Sequence, residues 1–266
     1  MKTLKYFSLA IVASFLVVSC AQKPQSDEAE VSEAQEVEEV SASASSYALD
    51  LTQSELMWNG FKPTGQHYGT IGIEDGSLAV ENNEVVGGNF TVDLNDIDVQ
   101  DLEGEDRDKL TGHLKSEDFF HVEQYPTAEF VITEVNSYNA NTASTEENEN
   151  MAVKVNEEEI SEYKLENPTH MVTGNLTMRD TTLSITFPAR INVTDNEITA
   201  EAKFNIDRTN WKVSYNDEGD PVRVAQDKFI YNTVNVGFDI TATKGSEPQA
   251  STPSSEENSA GDNTDS

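Results

Sequence analysis

The chain has 266 residues and a formal net charge of −32, from 49 Asp and Glu against 17 Lys and Arg. So acidic a surface opposes binding to a nucleic-acid backbone, where affinity rests on cations that neutralise phosphates. A single cysteine excludes an intrachain disulfide framework and a structural zinc held by several thiolates.

The first element is a targeting segment. Lys2 and Lys5 precede an apolar run from Leu9 to Val18, which is short for a membrane span but suits a secretory signal. The run leads into Val17-Val18-Ser19-Cys20, which resembles the lipobox of bacterial lipoproteins, where the cysteine receives a diacylglycerol and becomes the new N-terminus. Residues 1–19 are thus read as a lipoprotein signal peptide and Cys20 as the point of lipid attachment. The expected address is the cell envelope, periplasm or outer membrane, with the body tethered by its lipid.

Residues 20–46 are rich in Glu, Ser and Ala with few large apolar side chains. Such a composition cannot bury enough surface to offset ordering, so an acidic disordered linker is expected, holding the body off the membrane. Residues 245–266 have the same character and are expected to be a disordered tail.

Between 47 and 244 the pattern changes to period two. "GGNFTVDLN" puts Phe90, Val92 and Leu94 on one face. "ITAEAKFNID" does so with Ile198, Ala200, Ala202, Phe204 and Ile206, leaving Asn205 and Asp207 on the wet face. "TVNVGFDITA" aligns Val234, Val236, Phe238 and Ile240 against Asn235 and Asp239. "VTGNLTM" and "TLSITF" form a hairpin through Arg179-Asp180. One dry face and one wet face per strand, repeated at short spacing, predict an all-β antiparallel barrel or sandwich. One helix interrupts it: Asp106 is expected to cap a segment ending at Lys115, with Leu110 and Leu114 on one side. A loop follows, packing Phe119 and Phe120 against one end of the sheet. Residues 139–167, acidic and Asn-rich, are expected to be an exposed insertion.

"KLTGHLKSEDFFHVEQYPTAEF" (109–130) resembles the signature of the YceI family, lipocalin-like barrels that bind polyisoprenoids and related lipids. "WNGFKPTGQHYGTIGIEDGSL", "GGNFTVDLNDIDVQDL", "VTGNLTMRDTTLSITFPA" and "FNIDRTNWKVSY" resemble further family segments, in order, across nearly all of 48–243. The resemblance implies a barrel of about eight strands with a helix-loop crossover, able to enclose a small ligand. It implies lipid binding without catalysis, to a polyisoprenoid, quinone-like or fatty-acyl molecule, and no cofactor.

A lipid needs a dry, suitably wide interior, since each buried methylene contributes about 0.8 kcal/mol. The candidate wall residues are Phe90, Val92, Leu94, Phe130, Ile132, Leu176, Met178, Phe187, Phe204, Val236 and Phe238. Trp211 joins them, and neighbouring Arg208 is a weaker candidate for the polar head group. Alternation suits a solid core equally well, which leaves a structural or stress-related envelope protein with a filled barrel and an acidic interaction surface as the alternative. His113, Asp118, His121 and Glu123 offer metal-ligand chemistry, but without HExxH-like spacing no metal is expected. No nucleophile elbow or phosphate loop is present, so no enzyme is expected. Self-association is compatible with the sequence.

Overall fold

The computed structural model describes residues 24–139, 162–219, 221–226 and 228–245. Two short strands, β1 (Glu30–Glu33) and β2 (Ser45–Leu49), precede eight that close an antiparallel barrel. These are β3 (Glu55–Lys62), β4 (Gly65–Glu81), β5 (Glu84–Val99), β6 (Thr127–Ser137), β7 (His170–Met178), β8 (Thr181–Val193), β9 (Glu197–Asp207) and β10 (Thr233–Lys244). Each pairs with its sequence neighbour, and β10 pairs back onto β3. The barrel is all-β, as the period-two runs predict. β2 extends the β3 stave: it lies between β4 and β10 beyond the point where β3 leaves them.

The strands define two ends. The helix end carries the β3–β4 and β7–β8 turns and helix α1 (Gly104–Lys115); the far end carries the β4–β5 and β8–β9 turns. The long β4 and β5 bend through three register shifts between Ile71 and Val80. Gly69 is required there, because a Cβ would sit 1.8 Å from the Asp98 carbonyl oxygen. The β7–β8 turn is the expected Arg179-Asp180 pair, both at positive φ (55° and 138°). α1 begins at Glu103 as N-cap, without a side-chain cap bond, so Asp106 lies in the first turn and is not the cap.

β8 and β9 pair only through Arg190–Val193, leaving the seam between them open toward the helix end. The N-terminal segment fills it. β1 pairs antiparallel with Leu183–Thr186 of β8, and residues 27–29 exchange backbone hydrogen bonds with Asn205 of β9. The expectation of a disordered linker thus fails over 24–46. An unpaired strand edge offers backbone hydrogen bonds to any segment, apolar or not. At the described end of the expected insertion Glu162, Lys164, Glu166 and Asn167 are exposed, but Leu165 is buried and the Tyr163 ring packs edge-on against Phe61, 5.3 Å between centroids. Residues 1–23, 140–161 and 246–266, and with them Cys20, the tail and most of the insertion, lie outside the described residues.

Candidate functional site

The barrel surrounds a cavity of about 400 Å³ with an almost wholly apolar wall. The inward face of each strand supplies it. Phe90, Val92 and Leu94 of β5 line it, as do Phe130 and Ile132 of β6 and Leu176 and Met178 of β7. Across the barrel stand Phe187 of β8, Phe204 of β9, and Val236 and Phe238 of β10. Gly174 of β7 makes room for one of these rings, since a Cβ there would come within 2.4 Å of Phe130 Cζ. The rings form a connected group. Phe187 stacks on Phe204 at 4.2 Å, with Phe130 and Phe238 at 5.7 and 5.8 Å.

Two sequence candidates are placed elsewhere. Trp211 is fully buried and absent from the cavity wall, and its indole N–H donates to the Leu176 carbonyl at 3.0 Å. Arg208 borders the cavity, but its guanidinium donates to four backbone carbonyls: Tyr231, Val213, Tyr215 and Ile230. Those bonds tie the long loop before β10 to the barrel. Burial pushes the Arg208 pKa down, with Asp217 and Asp207 opposing. A guanidinium committed to the backbone in this way is a brace, which corrects its reading as a head-group ligand.

At the helix end α1 and the crossover add Leu110, His113, Leu114, Phe119 and Phe120 to the wall. His113 is held by ring contacts with Phe119 and Tyr215 and by Asp118, 3.1 Å from Nε2. His121, at φ 51°, faces the Tyr125 ring. The two histidines do not converge on one point with Asp118 and Glu123; among the described residues no group of three metal-ligating side chains does.

The sequence reading missed the polar rim at this end. Trp58, Gly60 and Lys62 alternate along the inner face of β3, and His67 of β4 pairs with Gly60. Lys62 Nζ lies 2.9 Å from His67 Nε2, and His67 Nδ1 lies 2.7 Å from Asp101 Oδ2. An ammonium only donates, so Nε2 accepts from Lys62 and the neutral ring donates from Nδ1 to Asp101. The signal was present in "WNGFK", an alternating Trp-x-Gly-x-Lys. Its link to His67 needed the register of a hairpin.

A model of the YceI-like domain matches residues 47–242, most of the barrel stretch just described. The chain belongs to the YceI-like family. This YceI-like chain is similar in structure to BcnA of Burkholderia cenocepacia, with a TM-score of 0.50 and 16% identity over 73% of this chain and 99% of BcnA. A polyisoprenoid binding domain from Saccharophagus degradans gives a TM-score of 0.47 at 14% identity, over 75% of this chain and 98% of that one. The YceI protein of Campylobacter jejuni gives 0.42 at 16% identity, over 66% and 85%. At such identities the likeness to BcnA concerns the fold. No curated protein matches the sequence.

Proposed function

We propose that this YceI-like chain binds or carries one apolar lipid inside its barrel, without covalent chemistry, as an envelope lipoprotein anchored through Cys20. The lipid classes in view are polyisoprenoid, quinone-like and fatty-acyl. One observation carries the reading: an apolar space of about 400 Å³ inside the barrel, where a filled barrel would have side chains. Apolar space left without partner atoms costs stability, because the groups that line it lose packing contacts. A buried hydrocarbon guest offsets that loss by about 0.8 kcal/mol per methylene. The same space weighs against a barrel filled by its own side chains.

The test is organic extraction of natively purified protein followed by mass spectrometry. A stoichiometric lipid is the expected result. Protein that carries no lipid and takes up none from vesicles overturns the reading.

A further inference from the structure

We propose that Trp58, Lys62 and His67 form a head-group subsite at the helix end of the cavity, and that it takes an uncharged acceptor oxygen such as a lipid carbonyl. This deepens the lipid-carrier reading and rests on it.

The Trp58 indole N–H is buried and donates to nothing among the described residues, although its ring borders the cavity. The other tryptophan, Trp211, has its N–H satisfied at 3.0 Å. A buried donor without a partner is uncommon and destabilising, and in a cavity wall it marks where a guest's acceptor would sit. Space exists beside it. A Cβ added to Gly60 would meet only Trp58 Cζ3 at 3.9 Å and the His67 carbonyl at 4.0 Å.

Lys62 adds a second donor to the same inner face of β3. Its bond to His67 uses one of three N–H groups, and no other bond of the ammonium is formed among the described residues. His67 is fixed in turn by Asp101, whose second oxygen accepts from the Tyr68 backbone N–H at 3.1 Å. The ammonium is thus oriented before any guest arrives, which lowers the ordering cost of binding.

Charge decides between kinds of head. The Lys62 ammonium is matched by the Asp101 carboxylate behind His67, so the rim as a whole has no net charge to offer an anion. The chain as a whole carries −32. Donors without net charge suit a carbonyl oxygen better than a phosphate.

The test uses the full chain and displacement of the uncharged dye phenylnaphthylamine by three probes of equal length: an alkane, its methyl ketone and its alkyl phosphate. The ketone should bind about tenfold tighter than the alkane, roughly the worth of one well-made hydrogen bond. It should also bind tighter than the phosphate. Trp58→Phe and Lys62→Met should each reduce the ketone-to-alkane ratio, whereas Tyr68→Phe, on the outer face of the same hairpin, should leave it. Equal binding of ketone and alkane, or a ratio unmoved in both variants, overturns the subsite and leaves the carrier reading standing. Tighter binding of the phosphate overturns the uncharged head. Failure of all three to displace the dye would sink the carrier reading itself.

Discussion

Toward the helix end, strands β8, β9 and β10 carry buried side chains on both faces, of opposite chemistry. Inside, the Phe187, Phe204 and Phe238 rings pack without direction-demanding bonds around free space. Outside, Asn205 and Asn235 are buried under the N-terminal segment and residues 162–166. Asn205 Nδ2 donates to the Pro24 carbonyl and to Glu28, and its Oδ1 accepts from Asn235. Asn235 also donates to the Tyr163 carbonyl at 3.0 Å. Nearby, the Asn175 amide exchanges two hydrogen bonds with the Gln35 backbone. The inner face is specified by volume and tolerates a change of occupant. The outer face is specified by donor–acceptor matching and admits one covering segment in one register.

Three substitutions would break or sharpen that contrast. Phe187→Ala removes the centre of the ring group and should cost about 3–5 kcal/mol in urea unfolding, whereas Phe187→Leu should cost much less. Asn205→Leu keeps the branched side-chain skeleton yet orphans the Pro24 carbonyl and takes away one of the acceptors of the Asn235 amide. It should cost about 1–3 kcal/mol and expose residues 24–46 to limited proteolysis. Equal costs for the two leucine variants would erase the distinction between the faces.

The smallest effect is electrostatic. Asp239 lies directly across from Glu201 on the outer face, and burial, then Glu201, raises its pKa above 3.8. The folded state therefore holds this proton more tightly than the unfolded one. That contribution is full below pH 3.8 and is lost as the pH climbs through the raised folded value. Asp239→Asn should raise Tm at neutral pH by about 1–3 °C, the scale of one like-charged cross-strand pair. The gain should shrink as the pH falls towards 3.8.

How much of this was legible follows from what a period-two pattern encodes. It states which side chains share a face, so Phe90, Phe130, Phe204 and Phe238 could be assigned to one inner wall by alternation alone. It does not state what covers the other face. Asn205 and Asn235 read as solvated, and they are buried because segments centred near residues 28 and 163 lie over them. The linker misled for a related reason: acidity and few apolar residues measure what a segment can bury by itself, not whether a barrel seam will pair with its backbone. Trp211 and Arg208 looked like ligand contacts because an aromatic beside a cation suits a head group. Their hydrogen bonds to Leu176 and to the loop carbonyls required three-dimensional closeness that local sequence does not carry.

The seam-filling segment also shortens a leash. Its first described residue, Pro24, is gripped by Asn205 near the helix end, and Ser26 Oγ donates to the carbonyl of Tyr163, whose hydroxyl reaches Gln66 beside His67. Three residues lie between Cys20 and Pro24 in sequence, and an extended chain advances about 3.3–3.6 Å per residue. With lipid on Cys20, Pro24 itself would lie no more than about 15 Å from the bilayer. Under the proposed carriage, a guest leaving at the helix end would leave at the tethered end of the barrel.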